Sequence, residues 1–397
     1  MKTKILVLGL VLATVATVVI YPSLRSSATS VQVQPRPFVQ PIGSAKVEVV
    51  FVLDTTGSMG GLIDAAKEKI WSIATTLAQA DPAPQITMGL VAYRDRGDAY
   101  VTRIVDLSTD LDSMYATLMQ FAADGGGDGP EDVNQALYDA IHQMSWSQDP
   151  NTYKVVFLVG DAPPHMDYQD GRKYPEIVAA AAAKGIVVNT IQCGSLGDTV
   201  GPWQHIAALG HGRYFTVDQA GSAVAIATPF DAEIATLAAQ LDETRLYYGS
   251  GDERARMEVK AAATAELQEF ASPAALARRG VFNATESGAA NMVGESELVH
   301  DVANGRVDLS AVPAAELPTQ LIGLSLDEQN EVVEETAKRR ESLQQQIAEL
   351  AEERDAFIAD KVEELGGAAD SLDRQIYDAV REQAAPKGLS YEGGPKF

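Results

Sequence analysis

Asp54, Thr56 and Ser58 stand at alternate positions directly after an apolar run from Val47 to Leu53. One carboxylate and two hydroxyls at that spacing can turn to the same side of an extended backbone. A hard divalent cation asks for that arrangement: oxygen donors in a near-octahedral array, some from protein and some from water. Gly57, between the two hydroxyls, lets the chain bend around such an ion. A second stretch of similar character reads Gly125-Gly126-Gly127-Asp128-Gly129-Pro130-Glu131-Asp132. Its glycines let backbone approach a cation closely, and its acids precede a helix whose first turn carries the positive end of the dipole. In a third, Gly160-Asp161-Ala162-Pro163-Pro164, a carboxylate follows the apolar segment from Lys154 to Val159. The candidate metal ligands are therefore Asp54, Thr56, Ser58 and Asp161, with Asp128 and Glu131 both open in the second stretch; Asp132 reads as a helix cap.

The elements that must carry these loops alternate along residues 46–241. Val47 to Leu53, Ile86 to Tyr93, Lys154 to Val159, Ile186 to Ile191 and Gly212 to Val217 read as strands. Val101 to Leu107 reads as an antiparallel edge strand. Helical periodicity runs over Leu62–Ala80, Leu111–Phe121, Asp132–Met144, the alanine-rich stretch through Ala183, Trp203–Leu209 and a last helix ending at Leu237–Leu241. Alternation of this kind predicts an α/β fold, a doubly wound, mostly parallel sheet with helices on both faces. The three oxygen-rich loops then share the carboxyl edge of the sheet, where open α/β sheets receive ligands.

The segment Asp54-Thr55-Thr56-Gly57-Ser58-Met59 resembles the first loop of the metal-ion-dependent adhesion site of von Willebrand factor A domains, whose pattern is Asp-x-Ser/Thr-x-Ser. Asp161 resembles the distal aspartate of that site. The family's second loop usually presents a threonine; here Glu131 stands at that position, as in a subset with an acidic second loop. The resemblance covers about half the chain and implies the fold, a divalent cation, and a protein ligand that commonly completes the coordination with an acidic group. An extra carboxylate weakens attraction for such a group, so the resemblance supports metal binding more than integrin-like adhesion. Arg94 and Arg96 follow the second strand, and His165 and Asp167 come just after Pro164; these four are candidates for a partner-binding rim. His142, His205 and His211 are dispersed and make no zinc pattern.

Beyond residue 241 the pattern weakens. Residues 242–320 read as a small mixed α/β region or ornament, with Ala261 to Leu267 helical and Leu298 to Val302 a short strand. Residues 321–385 read as a helical region: a polar run from Leu326 to Leu365, then Ser371 to Gln383, forming a helical hairpin or a short coiled coil whose seam Arg340 and Arg354 interrupt. Residues 386–397 read as a flexible tail. At the other end, Lys2 and Lys4 precede an uncharged apolar run from Ile5 to Tyr21, so residues 1–30 form either a cleaved export signal or an N-terminal anchor, followed by a proline-bearing linker over 31–45.

The chain has 397 residues and a net charge of -24. Such acidity does not suit nucleic acid or anionic lipid. The single cysteine, Cys193, excludes an internal disulfide and sits in an apolar strand as a packed thiol. These features lead us to expect a non-enzymatic, exported module, periplasmic or extracellular, that binds a protein partner through a divalent metal, Mg²⁺ first and Mn²⁺ or Ca²⁺ as alternatives. The rival reading makes the ion a brace for the loops and gives the partner to the C-terminal helices, which could also self-associate. A metal-assisted hydrolase is a remote third reading, since no nucleophile–base arrangement accompanies the acids.

Overall fold

The computed structural model describes residues 45–60, 63–127, 129–169, 171–217, 226–364, 371–392 and 394. The N-terminal apolar run and nearly all of the linker lie outside these residues. Among the described residues no helix is long and apolar enough to cross a membrane.

Strand β1 (Lys46–Asp54) is the centre of a six-stranded sheet. It pairs in parallel with β2 (Gln85–Tyr93) on one side and β4 (Tyr153–Gly160) on the other, so that Val49 lies between Met88 and Val155. β3 (Thr102–Ser108) runs antiparallel at the β2 edge, while β5 (Ile186–Cys193) and β6 (His211–Val217) continue in parallel beyond β4. The order β3-β2-β1-β4-β5-β6 reverses direction between β1 and β4. A reversal of this kind leaves a crevice at the strands' carboxyl ends.

Because successive residues of a strand face opposite ways, β1 serves two cores. Val47, Val49, Phe51 and Leu53 meet helices α1 (Ile63–Leu77) and α2 (Leu111–Met119), whereas Val50 and Val52 meet α3 (Val133–His142), α4 (Tyr174–Ala183) and α5 (Gly197–Leu209). Continuous burial on both faces explains why β1 and β4 read as unbroken apolar runs rather than alternating ones.

The chain then leaves the sheet for a helical body: α6 (Asp231–Asp242), α7 (Gly251–Phe270), α8 (Pro273–Asn283), α9 (Ala289–Val293) and α10 (Leu298–Ala303). The expected strand at Leu298 to Val302 is a helix. The Glu297 carboxylate caps it by accepting from the His300 N–H at 2.8 Å, and Leu298 and Val299 are buried in an apolar cluster with Leu246, Leu309 and Leu321. Arg279 on α8 ties this body to the sheet domain. It donates to Asp112 of α2 at 2.7 and 2.6 Å and to Asp242 at 2.8 and 3.0 Å, all in buried surroundings. Burial alone would raise the Asp112 carboxyl, but the charges of Arg279 and Lys260 hold it far below the usual range.

Helix α11 (Leu326–Glu364) packs on α6, α8 and α10. Val333, Arg340, Ile347 and Arg354 recur every seven residues on its buried face. The two arginines that break the apolar seam in sequence are its anchors. Arg340 makes a bidentate pair with Glu297, both contacts 3.0 Å, and Arg354 bonds Asp231 at 2.9 Å. The final helix, α12 (Leu372–Ala384), returns to the sheet and lies against α1 and β6. Leu372, Ile376, Tyr377 and Val380 thereby join the same core as Val49 and Phe51. The expected flexible tail is docked over its first part: Leu389 and Tyr391 are buried, and Ser390 exchanges backbone hydrogen bonds with Asp81 at 2.9 and 3.0 Å.

Candidate functional site

Asp54 closes β1 and Asp161 follows β4, so the two carboxylates flank the reversal point of the sheet. Asp54 is fully buried. Its Oδ1 accepts from the Thr56 N–H at 2.8 Å and from the Thr56 hydroxyl at 2.6 Å. Thr56 Oγ1 lies 3.1 Å from Ser58 Oγ, and the Ser58 hydroxyl donates to Asp161 Oδ1 at 2.9 Å. The structure therefore brings four of the candidate ligands, Asp54, Thr56, Ser58 and Asp161, into one chain of oxygens. The spacing matters, because neighbouring ligands of an octahedral ion with metal–oxygen bonds of about 2.1 Å stand about 3 Å apart.

Asp54 Oδ2 is buried and receives no hydrogen bond. The backbone leaves no slack around it: a Cβ on Gly160 would fall 2.9 Å from that oxygen and 2.5 Å from the Tyr93 hydroxyl. Burial, with the nearby Asp161 charge adding to it, pushes the Asp54 carboxyl up to about 7. Burial raises Asp161 as well. Without a cation this pocket cannot comfortably hold its full negative charge.

The second loop comes in over the first. The Gly57 N–H donates to Gly125 O at 3.1 Å and the Asp124 N–H to Thr55 O at 3.1 Å. Gly125 and Gly126 both adopt left-handed backbone, φ 77° and 79°. Only glycine takes that conformation freely, and a Cβ on Gly126 would lie 3.1 Å from Glu131 Oε1 and 3.3 Å from Thr56 Cβ. Glu131 is thus brought against the first loop. Its backbone bridges to the third, with the Glu131 N–H donating to Pro163 O and the His165 N–H to Glu131 O, each at 3.0 Å. Glu131 Oε2 is buried without a hydrogen bond, and burial together with Asp54, Asp95, Asp98 and Asp161 lifts this carboxyl to about 9. Asp128 lies outside the described residues. Asp132 caps α3, accepting from the Gln135 N–H at 3.0 Å.

The rim differs from the sequence reading. Arg94 and His165 are buried and present no partner surface. Arg94 donates to Ala122 O at 2.9 Å and stacks 4.7 Å over Tyr100. His165 stacks on Tyr168 at 4.0 Å and bonds Asp167 at 2.8 Å. A histidine following two prolines looks like surface in sequence; here the flat ring is what fills the space beside Tyr168. Arg96 lies 4.1 Å over the other face of Tyr168 and bonds Asp132 at 3.0 Å, and Asp167 stays exposed. From sequence, Asp95 and Asp98 read only as charges of a turn that could form a rim contact near the site, and Tyr168 gave no signal. Gly97 at φ 97° marks the tight turn that makes Asp98 reach back, and was the available signal.

Among the described residues no three His, Cys, Asp or Glu side chains converge as a ready metal cage. The donors at the sheet edge are mixed, carboxylates with hydroxyls, which suits a hard cation. Cys193 lies below, buried, its thiol pushed up to about 12.

Residues 48–228 match the family described as von Willebrand factor A domain, and this segment has that fold. Domains of this fold commonly use a divalent metal and are generally not catalytic. Among curated proteins, the alpha-protein kinase vwkA of Dictyostelium discoideum is 32% identical over 121 residues, 30% of this chain and 19% of that protein. The von Willebrand factor A domain-containing protein 7 of Rattus norvegicus is 36% identical over 114 residues, 29% of this chain and 12% of that protein. The chain thus spans less than a fifth of the length of either relative. Of solved structures, the VWA domain of SpRpn10 is similar at 12% identity and TM-score 0.35, over 45% of this chain and 89% of that one. Proximal thread matrix protein 1 of the mussel byssus, with a zinc-occupied MIDAS motif, is similar at 15% identity and TM-score 0.35, over 44% and 42%.

Proposed function

We propose that the carboxyl edge of the sheet binds one divalent cation, Mg²⁺ by preference, and presents it to a protein partner outside the cytoplasm. Asp54, Thr56, Ser58 and Asp161 would hold the ion, with Glu131 beside them. The chemistry such an ion supplies is an electrophilic point that takes an oxygen from a partner. The observation that carries the reading is Asp54 Oδ2: a fully buried carboxylate oxygen without a hydrogen bond, in a chain of oxygens spaced at 2.6 to 3.1 Å. Orphaned buried acceptors are rare and costly, and a cation removes the cost. Affinity for the partner would come from the surrounding side chains, since one metal contact specifies little. Export rests on the sequence of residues 1–30 alone.

The rival reading, in which the C-terminal helices carry the partner, is less favoured because their apolar faces are already used against the body of the protein. Calorimetric titration of the protein with Mg²⁺, Mn²⁺ and Ca²⁺, beside Asp54→Ala and Asp161→Ala, tests the proposal. One site in the wild type, lost in both variants, supports it. Stoichiometric, stabilising Mg²⁺ binding retained by Asp54→Ala would refute the assignment.

A further inference from the structure

We propose that Asp98 is a positioning residue for this site, holding the glycine-rich second loop in the one conformation that sets Gly126 close to both Glu131 and Thr56. The inference rests on the metal reading above but is carried by separate contacts. Both carboxylate oxygens of Asp98 accept from the Gly126 N–H, at 3.3 and 3.0 Å, and Oδ2 also accepts from the Asp95 N–H at 3.3 Å. A Cβ on Gly125 would fall 2.4 Å from Asp98 Oδ1, so the carboxylate fills the space that the glycine leaves.

Two successive glycines can take many backbone states, and left-handed backbone at both is one of them. Asp98 selects that state by giving the exposed Gly126 N–H an acceptor. The consequences run inward. The ordered loop delivers Gly125 O to the Gly57 N–H and the Asp124 N–H to Thr55 O. Gly126 then sits so near Glu131 and Thr56 that a Cβ there would lie 3.1 Å from Glu131 Oε1 and 3.3 Å from Thr56 Cβ. Asp95, in the same turn, braces the third loop. Its two oxygens accept from the Tyr168 hydroxyl at 2.9 and 2.8 Å, and Tyr168 stacks on His165 just beyond Pro164. The turn between β2 and β3 is a fourth loop of the site that holds the other loops without donating a ligand.

The test combines Mg²⁺ titration with amide hydrogen exchange of the metal-free protein, on wild type, Asp98→Ala and Asp98→Asn. Asparagine keeps one acceptor oxygen for the Gly126 N–H and loses the charge and the second oxygen. Outer partners of metal ligands typically change affinity by about 10- to 100-fold. A loss of that size is expected for Asp98→Ala, together with faster exchange at Gly57, Asp124 and Gly126, while Asp98→Asn stays close to wild type. Equal losses in the two variants would mean that an acceptor at the Gly126 N–H is not what Asp98 supplies, and would overturn positioning. No change in Asp98→Ala by either readout would also overturn it. Should the wild type take up no Mg²⁺, the metal reading fails. Exchange then decides the loop-holding role: faster rates confined to residues 54–58 and 124–127 sustain it, and unchanged rates sink it.

Discussion

The Ser58 hydroxyl donates to the Asp161 carboxylate at 2.9 Å, joining residues 103 positions apart in the chain. This contact links the loop after β1 to the loop after β4 across the reversal point of the sheet. Both groups carry oxygens, and Ser58 is also 3.1 Å from Thr56 Oγ1, so the contact joins the two loops into one chain of oxygens.

Replacing Ser58 by alanine therefore removes one donor and frees Asp161. Mg²⁺ affinity should fall at least about tenfold, with little change in the metal-free melting temperature, since Ser58 is exposed. Calorimetric titration and thermal melts read the two effects separately. An unchanged dissociation constant would exclude Ser58 from the ligand set.

The pH dependence has a definite sign. The folded carboxyls of Asp54 and Glu131 lie at about 7 and about 9, above their ordinary 3.8 and 4.5. Over that interval the folded state holds more protons than the unfolded one, so these groups make stability fall as pH rises. Mg²⁺ must displace those protons, so its affinity should rise over the same interval and binding should release protons. Melts with and without saturating Mg²⁺, at pH values spanning about 5 to 9, should show the metal's stabilisation growing with pH. A gain that shrinks with pH would contradict the electrostatics of this pocket.

Gly160 is tightly enclosed beneath Asp54. Its added methyl in Gly160→Ala would meet Tyr93 Oη at 2.5 Å and Asp54 Cβ at 2.8 Å. Overpacking of this kind costs about 1–3 kcal/mol, and here it also displaces the Asp54 carboxylate. Urea unfolding should show that loss, and Mg²⁺ affinity should fall with it. A variant as stable as wild type would mean that β4 can shift outward at no cost.

The last helix belongs to the sheet core. Removing residues 371–397 takes away Leu372, Ile376, Tyr377, Val380, Leu389 and Tyr391, all buried, and the Lys69–Asp373 ion pair at 2.6 Å. At about 1.5–3 kcal/mol for each large apolar side chain, the loss matches a domain's whole stability of about 5–15 kcal/mol. The truncated chain should lose its cooperative thermal transition. A sharp unfolding transition near the wild-type temperature would show that the sheet domain stands without this cover.

Much of this was legible in the residues. Val47 to Leu53 and Lys154 to Val159 read as strands buried on both faces because nothing in them is polar at a two-residue period except at their ends. Asp54, Thr56 and Ser58 followed from spacing, and Asp132 as a cap from its place before a helix. Leu298 to Val302 misled because a short apolar run is compatible with strand or helix, and the capping carboxylate of Glu297 decided for helix. Arg340 and Arg354 looked like faults in a seam; their partners Glu297 and Asp231 are far away in sequence.

Local pattern was enough for the alternation of strands and helices and for the oxygen-bearing loop after β1, because periodicity and turn chemistry act over a few residues. Tertiary packing puts His165 and Arg94 in the interior, brings Asp98 to the Gly126 N–H, and uses a helix at residues 372–384 to close a core begun at Val47. Those outcomes depend on which distant surfaces meet, and no local pattern records the partner that a side chain finds when the chain closes on itself.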